Sequence, residues 1–479
     1  MPGTFFGLEI GRRGLQTHQR ALDVTGHNLA NASTEGYTRQ EAVFTQTDPY
    51  TQPEWDSSVT PGQLGSGVGT SMIKRIRDEY MDPQVRRANT DRYYWEDQID
   101  IFKRLESCFA EPAASGINDQ IVDFFKGWQN LNNNPQDPGV KAVVMQAGVQ
   151  LSSLMSYTYN QMTNLQEGIM TPGTLSEVKS GMIKDQVSRV NDLLTQVQNY
   201  TEDIMRVCRI GQQPNDLMDK RDLLLDELSQ YGPLDVQYHT DNGKLTGELT
   251  MKFFGVNITT VPRDNKTFSV EINTVSGHLE LHEANEPLPV IDLTAQKDNT
   301  VIGGSLLGLE KARLDIIGFK QTLDDMADNL SSKIQDKNNS PPAATVLDFF
   351  LGSLDTGDFR VNQNIINNPS IIDGTKAGLI AQIRQEDMNT TDRTYTLEEC
   401  FGLLTTDVGT KAKSTDGMAA SLQAIQEQMV NLRESVSGVS VDEELSKMVQ
   451  FQYGYQGSAR VVGMVDELLD YLINRMKQF

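Results

Sequence analysis

MAASLQAIQEQMVNLRESV, residues 418–436, sets Met418, Leu422, Ile425, Met429, Leu432 and Val436 at alternating steps of four and three. That spacing places all six on one narrow stripe of an α-helix, the seam of a supercoiling pair. Gly438 interrupts the stripe, and Ser440-Val441-Asp442-Glu443 reads as a capping box that restarts a helix. The new helix carries Leu445, Met448, Tyr455, Ala459, Val462, Val465, Leu469, Leu472 and Met476. At the other end of the chain Leu8, Leu15, Leu22 and Leu29 recur every seventh residue. Gly7, Gly11 and Gly14 weaken that helix by roughly 1 kcal/mol each relative to alanine, so a partner must hold it. Seams at both extremities predict an antiparallel pairing of residues 1–34 with 440–479.

Inward from the ends the pattern changes. Between Ala32 and Asp91 the periodicity lapses and Gly, Pro, Ser and Thr accumulate, so residues 35–90 read as an extended connector. Gly65-Ser66-Gly67-Val68-Gly69 has no following Lys-Ser or Lys-Thr and reads as a bend rather than a phosphate loop, with strand-like alternation over Thr70 to Arg77. Residues 91–231 and 303–439 read as a helical rod. Its first arm has a seam of Ile183, Val187, Val190, Leu194, Val197 and Ile204, broken near Gly211 and Pro214. Its second arm starts near Gly303–Gly304 and carries Ile316, Leu323, Ala327, Leu330 and Ile334.

Residues 232–302 turn to β. Asp241-Asn242-Gly243 is a strong hairpin signal, and Phe253 to Thr260, Phe268 to Ile272 and His278 to His282 read as short strands. Residues 345–400, after the Pro341-Pro342 loop, look irregular with short strands. The expected fold is mainly α with an inserted β module. It is an elongated multidomain protein with paired terminal coiled-coil helices, a helical-bundle rod and a small all-β outer domain.

Composition narrows the function. The 479 residues carry a net charge of −23, which repels nucleic acid and anionic lipid. Residues 1–90 hold 9 basic and 10 acidic side chains and residues 411–479 hold 7 and 9, so the middle carries nearly all of the negative charge. Near-neutral ends suit self-packing, and an acidic middle suits a solvated exterior. No run approaches the roughly 18 apolar residues of a membrane span, and no secretory signal is expected at Met1 to Gln19. Cys108, Cys208 and Cys400 fit neither a disulfide framework nor zinc spacing.

Two constellations could carry chemistry. His278, Glu280 and His282 alternate, so a strand would place two imidazoles and a carboxylate on one face, opposite Leu279 and Leu281. A wet strand face over a leucine core explains the same alternation. Asp219-Lys220-Arg221-Asp222 is a dense charge cluster among leucines and reads as helix salt bridges rather than an acid–base pair. No serine, cysteine or histidine stands in a recognisable nucleophile context, so no enzyme activity and no cofactor are expected.

His27-Asn28-Leu29-Ala30-Asn31-Ala32-Ser33-Thr34-Glu35-Gly36-Tyr37-Thr38-Arg39 resembles the N-terminal signature of bacterial flagellar rod, hook and hook-associated proteins, with His27 where a second Asn is usual. Asn28 and Asn31 can cap and turn the helix end, and Gly36 permits a bend. Phe451-Gln452-Tyr453-Gly454-Tyr455-Gln456-Gly457-Ser458-Ala459-Arg460 resembles the matching C-terminal signature, with Gly454 and Gly457 in place of alanines. Ser437–Glu444, Leu217–Asp222, Asp348-Phe349-Phe350, Val361-Asn362 and Asn367-Asn368-Pro369 are similar to the hook-associated, hook–filament junction branch.

This resemblance implies a non-enzymatic adaptor between hook and filament, located outside the cell. It implies partners in further copies forming a ring or helical layer, the hook protein below, and the next hook-associated protein and flagellin above. It also implies export, unfolded, through the flagellar type III apparatus with a chaperone. The expected assembly residues are Leu8, Leu15, Leu22, Leu29, Asn28, Asn31, Gly36 and Tyr37, with Leu445, Met448, Tyr455, Ala459, Val462, Val465, Leu469 and Leu472. A hook or distal-rod protein shares both end motifs but is mainly β between them. A metal-binding hydrolase using His278 and His282 is the reading from another class.

Overall fold

The computed structural model describes residues 6–49, 65–109, 116–174, 176–241, 244–259, 266–283, 288–298, 303–340, 347–389 and 394–471. Helix α1, Phe6–Ala30, is followed by strands β1, Gln40–Gln46, and β2, Val68–Arg75, which pair antiparallel and lie along α1. The connector expected at 35–90 therefore contains a hairpin, and it also contains the start of a helix. Helix α2, Met81–Phe109, begins well before Asp91. Its first turns bury Asp82, Arg86, Asn89 and Thr90, and apolar periodicity is blind to a polar buried face.

Helices α3, Ile117–Asn133, and α4, Pro138–Ile169, pack on each other, and Asp137 caps α4 by accepting from the Gly139 amide. Short strands β3, Thr171–Pro172, and β4, Val178–Ser180, lead to α5, Met182–Arg209, and α6, Asn215–Tyr231, with Gly211 at φ +80° between the two helices. All six predicted seam residues of α5 are buried. After the β module, α7, Ser305–Asn339, packs against α2, α4 and α5 and buries Ile316, Leu323, Ala327, Leu330 and Ile334 completely. One aromatic cluster joins Phe124 and Trp128 of α3 to Phe349 and Phe350, with ring centroids 5.5–6.2 Å apart.

The β module comprises two separate three-stranded antiparallel sheets. The first orders β5, Leu234–Asp241, β6, Lys244–Phe253, and β7, Val256–Thr259; the second orders β10, Pro289–Asp292, β9, Leu279–Glu283, and β8, Phe268–Ile272. Both rest on α5. The single strand expected from Phe253 to Thr260 is two strands, because Phe254 and Gly255 both take positive φ (48° and 82°) and make a two-residue hairpin turn.

Residues 347–389 and 394–396 hold the paired fragments β11, Phe350–Leu351, and β12, Arg360–Val361, the helices α8, Gln363–Asn367, and α9, Ala377–Gln382, and the pair β13, Met388–Asn389, and β14, Thr394–Tyr395. A full capping box between Thr396 and Glu399 starts α10, Leu397–Ser437. Gly438 is extended and ends it. Ser440 then caps α11, Val441–Asp470, by accepting from the Glu443 amide, while the Glu443 carboxylate is held by Arg39. The chain is mainly α, with an inserted β module and long terminal helices. Among the described residues no helix is long and apolar enough to cross a membrane.

Candidate assembly surface

Helices α1 and α11 pack along their length, antiparallel. The face of α1 turned to α11 is a run of small residues rather than the leucine heptad. A Cβ added at Gly7 would lie 3.1 Å from Val465 Cγ2, at Gly11 2.7 Å from Val462 Cγ2, and at Gly14 2.6 Å from Ser458 Oγ. At Gly454 it would strike the His18 ring. Gly11, Gly14, Ala21, Thr25 and Asn28 are buried, continuing the same stripe at steps of three and four. The glycines that weaken the isolated helix are thus what lets two backbones approach, a trade of propensity for contact.

Leu8, Leu15, Leu22 and Leu29 flank this seam half-buried. Thr17 and Arg13 face the hairpin instead: the Thr17 hydroxyl donates to Val68 O at 3.2 Å and Arg13 to Ser66 Oγ at 3.1 Å. On α11, Val462 and Val465 meet α1, and Met448 is half-buried, whereas Leu445, Tyr455 and Ala459 are exposed. Val465 already lies opposite Gly7, so half-buried Leu469, one turn on, sits beyond Leu15 and Leu22 rather than against them. Leu472 lies outside the described residues. Sequence reasoning missed Gly7, Gly11, Gly14, His18, Glu444, Gly454 and Ser458 because it sought large apolar side chains; the three-and-four spacing of the glycines was the available signal.

The seam closes in a clasp centred on Asn28, which is 1% exposed. Its Nδ2 donates to Gln40 O and to Glu444 Oε2, both at 2.8 Å. Its Oδ1 accepts from the Tyr37 hydroxyl at 2.8 Å and from the Gln40 amide at 2.9 Å. Every hydrogen-bonding position of the amide is used. Glu444, also buried, takes a second partner in Lys447 at 2.8 Å. Asn31 Nδ2 donates to His27 O at the end of α1, and Gly36, at φ +73°, turns the chain so that Tyr37 reaches back. Burial, with Asp216, Asp219 and Glu444 near, pushes the Tyr37 phenol above its usual range. Arg39 donates through Nη1 to Glu443 at 2.9 Å and through its amide to Ser437 O at 2.9 Å, fixing the α10–α11 break to the same turn.

Below the clasp the Asp219–Asp222 cluster is a buried joint between elements. Arg75 pairs with Asp219 at 2.8 Å and Asp222 at 2.9 Å, and Arg77 pairs with Asp222 at 2.5 Å and Asp82 at 2.6 Å. Tyr238 of the β module donates to Asp222 at 2.7 Å, and Asp219 accepts from the Thr38 amide at 3.1 Å. Arg433 of α10 and Arg86 of α2 both hold Asp226, at 2.5 and 3.0 Å. Burial pushes the Asp222 carboxyl up, but Arg77, Arg75, Arg221 and Arg86 outweigh it and hold it well below the usual range. For Asp219 burial wins and the carboxyl is raised. A cleft of about 1110 Å³ opens beside the joint, with the 31–39 turn, α2, α6 and the α10–α11 break as walls.

Helix α10 also leaves large apolar side chains outside. It packs on α2 with Leu404, Val408, Thr415 and Ala419 buried, while Met418, Ile425, Leu432 and Val436 are 40–46% exposed. On α11, Val449, Met464, Leu468 and Tyr471 are exposed as well. Continuous apolar stripes of this kind mark an interaction surface.

The histidines of the β module do not converge. His278 Nδ1 is 2.7 Å from Asp292 Oδ2 on β10, His282 Nε2 is 3.2 Å from Glu280 Oε2, and Glu280 Oε1 accepts from Asn273 at 2.8 Å. Leu279 and Leu281 are buried, as the alternation requires. Among the described residues no group of three or more His, Cys, Asp or Glu side chains could hold a metal ion.

Residues 102–340 match the family model described as Flagellar hook-associated protein FlgK helical domain. Residues 427–476 match Flagellar basal body rod FlgEFG protein C-terminal, and residues 8–38 match Flagella basal body rod protein. Flagellar hook-associated protein 1 of Bacillus subtilis (strain 168) is 27% identical over 514 residues, covering 99% of each chain. Its counterpart in Escherichia coli (strain K12) is 21% identical over 557 residues, covering 96% of this chain and 98% of that one. The structure of the flagellar hook junction protein FlgK from Burkholderia pseudomallei is 21% identical, with a TM-score of 0.42 over 53% of this chain and 43% of the other. With rod-type models at both ends, the hook-associated helical domain between them and similarity along the full length, the chain belongs to the flagellar hook-associated protein 1 family.

Proposed function

We infer that this chain is a non-catalytic structural subunit of the flagellum that joins hook to filament. The observation that carries this reading is the division of labour in the terminal helices. Small residues close the α1–α11 contact within one molecule, α10 buries Leu404, Val408, Thr415 and Ala419, and the large apolar residues Met418, Ile425, Leu432, Met464 and Leu468 are left outside. A monomer that exposes such stripes is built to be covered by neighbours. In the assembled state the neighbours are further copies in a ring or helical layer, with the hook protein below and the next hook-associated protein and flagellin above. Leu8, Leu15, Leu22, Leu29, Leu445, Tyr455 and Ala459 take part in those contacts. The subunit reaches its place outside the cell through the flagellar type III apparatus, escorted by a chaperone. Labelled antibody on intact flagella tests the assignment. A band confined to the hook–filament boundary is expected, and label along the whole hook would sink it in favour of a hook protein.

A further inference from the structure

His18 packs, half-buried, against α11 near the midpoint of the α1–α11 seam. Its ring lies flat enough against α11 that Gly454 has no room for a Cβ. Phe44 of β1 meets it edge-on at 6.0 Å between centroids, and Phe451 of α11 lies at 6.4 Å. Its Nδ1 is buried without a hydrogen-bond partner. Charged side chains stand on every element around it: Arg13 and Arg20 on α1, Glu41 on β1, Lys74 on β2, and Lys447 and Arg460 on α11. None of them is hydrogen-bonded or ion-paired to the ring, and Arg13 and Lys447 are committed to Glu9 and Glu444. A proton on Nδ1 would therefore place a charge without a counter-ion on the half of the ring turned to Phe44, Phe451 and the Gly454 backbone.

We propose that His18 is a proton-operated release for the terminal helix pair: protonation separates α1 from α11. Burial already holds the imidazole below its ordinary pKa, so the paired state resists the proton that the open state accepts. Below about pH 6.5 the opening equilibrium then rises, by at most about tenfold per pH unit, until the paired state takes up the proton as well. The seam is susceptible because glycine, alanine and threonine bury little apolar surface, so one proton is a large share of its stability. The device regulates the same terminal pair that the proposed function uses for assembly and rests on that reading for its purpose. Its test is made on the free chain, so it can fail while the junction assignment stands, and the reverse.

Hydrogen exchange of the full-length chain is followed from pH 7.5 to 5, with rates divided by the intrinsic exchange rate at each pH. Protection in α1 and α11 should fall below pH 6.5, by up to about tenfold per unit, while α3, α4 and α7 hold steady. His18→Phe and His18→Gln should flatten that response. Flat protection in the natural sequence, or the same slope in both variants, overturns the proposal. Should both variants open the pair at every pH, the ring's own NMR titration decides: a pKa clearly below 6.5 supports the release, and one at or above 6.5 refutes it.

Discussion

Asn28 and Glu444, 416 positions apart in sequence, share a buried hydrogen bond of 2.8 Å that locks the start of α11 to the end of α1. The bond sets the register of the whole terminal pair, since Gly14 with Ser458 and Gly7 with Val465 follow from it at helical steps. It also explains in physical terms why an asparagine stands in the N-terminal signature. Only the carboxamides of Asn and Gln combine two donors and two acceptors in one plane, and the shorter of the two reaches Gln40, Tyr37 and Glu444 together from this position.

Asn28→Ala should leave Glu444 buried with Lys447 as its remaining partner and cost about 1–3 kcal/mol in the pairing of the terminal helices. Asn28→Asp should be worse, because it sets a second carboxylate against Glu444. Amide exchange in α11 is the readout. Loss of protection there, with the melting temperature of the rod helices unchanged, is expected; a uniform fall in melting would show that the clasp belongs to the main core.

The glycine seam separates propensity from packing. Gly26 has nothing within 4 Å of an added Cβ, so Gly26→Ala should stabilise α1 by up to about 1 kcal/mol. Gly11→Ala has the same propensity gain but drives a methyl against Val462, and should weaken the pair. Adding Val462→Ala should restore it. Helicity and exchange measured on the four chains decide the matter, and equal stabilisation by both glycine substitutions would contradict a close-packed seam.

Removing the charge of Asp222 strands Arg75 and Arg77, although Asp219 and Asp82 keep them partly paired. Asp222→Asn should therefore cost about 3 kcal/mol, the lower end of what breaking a buried ion pair entails. The pH dependence has a definite sign. A carboxyl held below its ordinary value in the folded state stabilises fully above about pH 4, and that contribution is lost as the pH falls towards the folded pKa. Arg77→Met removes much of that contribution already at neutral pH, so the variant should be clearly less stable than the natural chain at pH 7 and the gap should narrow as the pH falls below about 4; a gap that stays constant with pH would refute the joint.

Much of this architecture is legible from spacing alone. The stripes of α5 and α7 and the stop at Gly438 are where apolar periodicity and glycine place them, because those helices bury large side chains. The terminal stripes were visible too, but periodicity reports only that a face is apolar, not which neighbour covers it. Within one molecule α1 turns its small face inward and α10 buries Leu404, Val408, Thr415 and Ala419, so the leucines and methionines read as the intramolecular seam are the flank and the outside. Asp82, Arg86 and Asn89 hid the start of α2 for the complementary reason, being polar residues on a buried face. The β module was legible as strands but not as two sheets, since sheet order depends on what α5 covers.

The central claim is that the outward stripe of α10 is a surface for other molecules, and Ile425→Asp paired with Leu432→Asp tests it most directly. Both side chains are about half exposed in the monomer, so the double variant should melt within a few degrees of the natural chain. Cells carrying it should nonetheless fail to build filaments and should release unpolymerised flagellin. Normal filaments on those cells, or a monomer that melts many degrees lower, would show that the stripe serves the subunit's own core and not its assembly.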